Sequence, residues 1–90
     1  MRKLAVEKAV LKELEALPTK QYRQVVSAIL DLLADPAPHY SKPLEGSGYG
    51  RIVLGEYRVI YRFDEEFVHV AVASKRNDGE VYKLMQGSAI

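Results

Sequence analysis

From Glu7 to Leu17 the apolar positions Val6, Val10, Leu14 and Leu17 return at helical intervals, while Lys and Glu fill the other faces. That pattern predicts an amphipathic helix, closed by Pro18. Thr19 stands where the N-cap of a second helix belongs, and behind it Tyr22, Val25, Val26, Ile29, Leu32 and Leu33 fall on one stripe. Asp35-Pro36 ends that helix, because the residue before a proline disfavours helical geometry. Two amphipathic helices joined by so tight a break make a hairpin that covers one face of a sheet. Ahead of them residues 2–6 are expected to form a short strand with Leu4 and Val6 inward. Residues 36–50, rich in proline and glycine, read as an ordered loop that leads into the strands and is placed to wall a site.

Beyond the loop the period changes to two. Arg51 to Leu54 and Tyr57 to Phe63 flank Gly55-Glu56, a Gly-X pair suited to a two-residue type II′ hairpin. That turn sets Leu54 opposite Tyr57, Val53 opposite Arg58, Ile52 opposite Val59 and Arg51 opposite Ile60. Alternation then places Ile52, Leu54, Tyr57, Val59, Tyr61 and Phe63 on one face, and Arg51, Val53, Arg58, Ile60 and Arg62 on the other. Asp64-Glu65-Glu66 makes the next turn. Phe67 to Ser74 returns, and the simplest register puts Val68, Val70 and Val72 on the apolar face, leaving the arginine face open. The expected fold is α+β: an N-terminal helical hairpin packed on one face of a small, twisted, mainly antiparallel sheet of about four strands.

Composition narrows the classes. Ninety residues, 48% of them hydrophobic, suffice for a single core spanning 1–90 and no second one. No cysteine is present, which excludes disulfides, thiolate metal sites and a cysteine nucleophile. No apolar run approaches the roughly 20 residues of a membrane span, and the N-terminus lacks a signal-peptide core, so a cytoplasmic protein without membrane contact is expected. The net charge of +1 is divided evenly, with seven basic and six acidic side chains in residues 1–48 and six of each in 49–90. Whole-chain charge is therefore silent about nucleic acid, and the position of the arginines has to decide.

Arg51 and Arg58 on one sheet face, with Arg76 in the polar turn Lys75-Arg76-Asn77-Asp78-Gly79 and Tyr82 close behind, suit a scissile phosphate. Attack of a 2′-hydroxyl on the RNA backbone passes through a dianionic, phosphorane-like transition state. Guanidiniums offer it planar, bidentate donors and keep their charge throughout. Tyr82 is suited to stacking on a base, or to proton exchange if neighbouring cations lower its pKa from about 10. The plainer reading of strand arginines is the solvated side of a half-buried sheet, and Arg62, beside the acidic turn, is assigned to it. His39 and His69, 30 positions apart in unlike contexts, do not make a metal pair, and no HExxH spacing exists. The glycines around Ser47 serve the turn into the sheet and lack the lysine of a phosphate loop. Neither a metal nor a cofactor is called for.

These segments resemble the RelE/ParE superfamily of toxins from type II toxin–antitoxin pairs over nearly the whole chain. The likeness lies in the short first strand, the helical hairpin, Leu44-Glu45-Gly46 after a proline loop, the YRVIY of Tyr57–Tyr61, and KRNDGEVY at Lys75–Tyr82. The last segment resembles the RelE branch, whose members are ribosome-dependent endonucleases that cut messenger RNA in the decoding site. The resemblance implies Arg58 and Arg76 as phosphate-neutralising residues, Tyr82 as proton-transfer or stacking partner, and Arg51 as a further cation. Lys42, Lys75 and Lys83 are expected to add RNA contacts. It also implies a cognate antitoxin, the ribosome and messenger RNA as partners. The chain departs from the pattern at Val53, where many relatives carry a second basic residue. Two other readings stay open: a ParE-type inhibitor of DNA gyrase, and a toxin homologue that only binds its antitoxin.

Overall fold

Two helices cross one face of a five-stranded sheet. The chain's structure, a computed structural model, describes residues 1–44, 46 and 48–75. In chain order the elements are β1 (Lys3–Val6), α1 (Lys8–Glu15), α2 (Thr19–Asp31), β2 (Lys42–Leu44), β3 (Tyr49–Leu54), β4 (Tyr57–Phe63) and β5 (Phe67–Ser74). The strands lie in the order β1-β5-β4-β3-β2, with β1 parallel to β5 and every other pair antiparallel. Among the described residues no helix is long and apolar enough to cross a membrane.

The helices form where the periodicity predicts them, with one change at the second start. Pro18, not Thr19, is the N-cap of α2: its extended backbone (φ −57°, ψ 151°) precedes the helix, and its carbonyl accepts the Tyr22 N–H at 2.8 Å. No side chain caps that end, and Thr19 is already helical. Val25, Ile29 and Leu32 of the expected stripe are buried, whereas Tyr22, in the first turn of α2 beside the connection between the helices, remains 42% exposed. Val10 and Leu14 of α1 complete the helical contribution to the core.

Gly55 has φ +62°, the left-handed value that a II′ turn needs at its first central residue, and no described non-glycine residue has a positive φ. The β3–β4 register follows: Arg51 faces Ile60, Ile52 faces Val59, Val53 faces Arg58 and Leu54 faces Tyr57. Ile52, Tyr57, Val59 and Tyr61 accordingly pack under the helices with Val68 and Val70. Gly50 lies opposite Tyr61, and a Cβ there would stand 3.3 Å from the ring. The ring fills that gap, and its hydroxyl donates to the Pro36 carbonyl at 2.7 Å, so the proline loop is tied to the middle of the sheet. Burial raises the Tyr61 phenol above its ordinary pKa, which keeps it a donor.

Two expectations are corrected here. The sheet has five strands, not about four, because Lys42–Leu44 inside the proline loop pairs with β3 as an edge strand. Proline is tolerated there because an edge leaves its missing N–H without consequence. The second correction concerns β5. Its register against β4 shifts at the Ile60/Tyr61 step, so Val70 faces Tyr61 but Val72 faces Ile60, with Ala71 as the extra residue of a bulge. Val72 therefore leaves the helix side, and Ala73 takes its place in the main core.

On the far face Val72 joins Ile60 and Leu44 in a second apolar cluster, flanked by Tyr49 and Ala71. Ile60 is 0% exposed, so the middle of the arginine face is a buried floor and not an open polar surface. Truncating Ile60 to Ala should cost about 2–5 kcal/mol, as for a buried aliphatic in any core. Val53→Ala, on the same face but 47% exposed, should change stability by less than about 0.5 kcal/mol. Urea unfolding of the two variants checks both values.

Candidate functional site

The registers sort the arginine face into rows that run across the strands. One row is Lys42, Arg51, Ile60 and Val72; the next holds Val53, Arg58 and Ser74. Arg51 and Arg58 are diagonal neighbours on adjacent strands, which places their Cα atoms about 7–8 Å apart. Both are half-buried, and Lys42, exposed on the edge strand, stands directly opposite Arg51. Half-burial against an apolar floor lowers the local dielectric, which strengthens the attraction of each guanidinium for an anion. Val53 occupies the position opposite Arg58, so no third cation comes from that point of β3. Ser74, on the other side of Arg58, keeps a buried hydroxyl with no hydrogen-bond partner among the described residues.

The remaining candidates divide. Lys75 turns to the helix side, where its ammonium pairs with Glu56 at 3.2 Å and lies 5.6 Å from the Tyr57 ring centroid. The Glu56 carboxylate raises its pKa. It is not gathered with Arg51 and Arg58. Arg76, Tyr82 and Lys83 lie outside the described residues. Arg62 is exposed and sits across from His69, as the alternation predicts, but its guanidinium also lies 5.9 Å from the centroid of the Tyr49 ring. That contact is legible in the sequence, since extending the predicted hairpin register by two pairs beyond Arg51–Ile60 sets Tyr49 against Arg62. Ala37, Ser41 and Pro43 of the proline loop border an open pocket of about 710 Å³ over Gly50, Tyr61 and Phe63, and neither Arg51 nor Arg58 lines it. Among the described residues no three His, Asp or Glu side chains gather as a cation site.

A family model for the ParE toxin of type II toxin–antitoxin systems, parDE, matches residues 4–79. This chain belongs to that toxin family. The toxin is also similar to several solved structures of the wider RelE/ParE superfamily. Against the RelBE2 toxin–antitoxin complex of Mycobacterium tuberculosis it is 25% identical, with a TM-score of 0.70 over 83% of this chain and 98% of that one. Against the RelE–RelB complex of Pyrococcus horikoshii it is 28% identical, with a TM-score of 0.70 over 81% and 92%. A mutant of E. coli RelE in the free state shares the fold at a TM-score of 0.80, with 24% identity over 99% and 98%. No curated protein matches the sequence.

The toxin's arginine face ends at the β4–β5 turn, and Asp64 holds that turn. Its Oδ1 accepts the backbone N–H groups of Glu66 at 2.8 Å and Phe67 at 2.7 Å, while its carbonyl accepts the Arg2 Nε–H at 2.6 Å. The Oδ2 atom lies 3.8 Å from His69 Nε2. The two backbone donors, with His69 adding less, hold the carboxyl below the usual carboxylate range. A pKa lowered in the folded state contributes stability that is present above the unfolded value of about 4 and is lost as pH falls through the folded value. Wild-type stability should therefore fall more steeply below about pH 4 than that of Asp64→Asn, whose amide oxygen keeps an acceptor but carries no charge. Unfolding midpoints across that range provide the comparison.

Proposed function

We propose that the toxin is an endoribonuclease that cuts messenger RNA in the decoding site of the ribosome. The observation that carries this reading is the diagonal pair Arg51 and Arg58, half-buried on one sheet face with Lys42 beside it. In the reaction the 2′-oxygen bonds to the adjacent phosphorus and the bond to the 5′-oxygen breaks. The products are a 2′,3′-cyclic phosphate and a free 5′-hydroxyl. The proton leaves the 2′-hydroxyl and one is returned to the 5′-oxygen, a transfer that the superfamily likeness gives to Tyr82. Charge accumulates on the non-bridging oxygens, and Arg51, Arg58 and Arg76 neutralise it. Lys42 and Lys83 add attraction for the RNA backbone; Lys75, engaged by Glu56, contributes less.

The partner that silences the toxin is an antitoxin, a reading supported by the RelB complexes among the similar structures. A second reading is kept because two observations favour it. The matching family model is that of ParE toxins, and Val53 stands where a further cation would strengthen a nuclease. On that reading the toxin inhibits DNA gyrase.

Induction in growing cells separates the two. New messenger-RNA ends within translated codons, without inhibited supercoiling, are expected. Growth arrest with damaged DNA and intact messages would transfer the toxin to the gyrase class. Arg58→Ala should lower cleavage by roughly 100-fold or more, the scale of losing one oxyanion donor, while leaving the unfolding midpoint nearly unchanged.

A further inference from the structure

One row of the arginine face remains unassigned. It runs from Tyr49 on β3 through Arg62 on β4 to His69 and Ala5 on β5 and β1, set by the pairs Arg62–His69 and Ala5–His69 and by the Arg62–Tyr49 contact at 5.9 Å. A recess of about 190 Å³ opens along it, with Tyr49, Arg62, His69 and Glu7 on its walls and the small Ala5 and Ala71 at its base. The recess has a structural origin. The bulge that moves Val72 to the second core puts Ala71 here as the unpaired residue, and its methyl group leaves room that a larger side chain would fill.

We infer that this row is a binding subsite for the nucleotide next to the cleaved bond in a single-stranded RNA. The inference rests on the nuclease reading above. Arg62 is four residues from Arg58 on the same face of β4, about 13 Å along the strand, with Ile60 between them. With its guanidinium held over the Tyr49 ring, Arg62 is placed for a neighbouring nucleotide on the same strand and not for the phosphate at Arg58. The side chains fit its chemistry. Tyr49 presents a ring face, and Arg62 beside it has a planar cation that both stacks and pairs with a phosphate. His69 adds a second ring on the other side of Arg62. The carboxylates matter too: Glu7 lines one wall, and Asp64 lies 3.8 Å from His69. A phosphate is repelled at that end, so the base enters the recess and its phosphate stays on the Arg62 side. Glu7 accepts a hydrogen bond from an exocyclic amine, which cytosine, adenine and guanine carry and uracil lacks.

The test uses the full-length toxin on programmed ribosomes with messages that differ only in the nucleotide beside the cut. Wild type is expected to disfavour uracil there relative to cytosine, adenine and guanine. Tyr49→Ala and Arg62→Ala should each lower cleavage of the favoured message by about tenfold and flatten the preference. Glu7→Gln, whose amide also donates to a base carbonyl, should narrow the discrimination against uracil. Arg62→Lys keeps the charge but loses the planar stack, so it should retain attraction for RNA with a weakened preference; being exposed, this position also serves if an alanine variant fails to fold. Wild-type cleavage that none of these substitutions changes, in rate or in base preference, overturns the subsite and leaves the nuclease intact. Normal cleavage with weakened antitoxin binding also overturns it, assigning the row to the protein partner. If wild type itself leaves every message uncut, the nuclease reading falls and the subsite with it.

Discussion

One extra residue in β5 decides what each face of this sheet receives. Had β5 kept a regular register against β4, Val68, Val70, Val72 and Ser74 would all face the helices, placing a hydroxyl in the main core and Ala73 outside it. The slip at the Ile60/Tyr61 step exchanges the last three positions. Ala73, small enough to sit under the helices opposite Val59, joins the main core. Val72 meets Ile60 and Leu44 on the far side, and Ser74 comes to rest beside Arg58. A strand that alternates strictly serves one core; the bulge lets this one serve two.

The second core gives the toxin's arginine face its character. Ile60 lies between Arg58 and Arg62 on β4, and across from Arg51 on β3. A buried aliphatic floor keeps the flanking guanidiniums from spreading over the sheet and reduces the water that competes for them. Charge on such a floor acts more strongly on an incoming phosphate than the same charge on a fully wetted surface. It also explains how a chain with a net charge of only +1 presents a focused basic region: the cations are placed, not numerous.

Much of this is readable in the sequence. The Gly55-Glu56 turn fixes a register to the residue, because its backbone admits one two-residue loop geometry, and the positions of Arg51, Arg58 and Arg62 follow from alternation alone. The helices were legible from their periodicity and from Pro18. What escaped was non-local. Nothing in FVHVAVAS marks Ala71 as the bulged residue, since small and branched apolar residues alternate there without a break, and only pairing with β4 reveals the slip. Strand β2 is three residues long and contains Pro43, so it reads as loop until β3 supplies a partner. Arg62 is exposed, as its assignment to the solvated side expects, and its contact with Tyr49 comes from the hairpin register and not from the acidic turn that follows.

The central claim is that Arg51 and Arg58, brought together by the hairpin and the buried floor, act on one phosphate. A double-mutant cycle on single-turnover cleavage of ribosome-bound message, using wild type, Arg51→Ala, Arg58→Ala and the double variant, measures that directly. Groups acting on one charge are non-additive, so the double variant should lose clearly less than the product of the two single losses. Losses that simply multiply would contradict the account, as would an Arg51→Ala variant that cleaves at the wild-type rate.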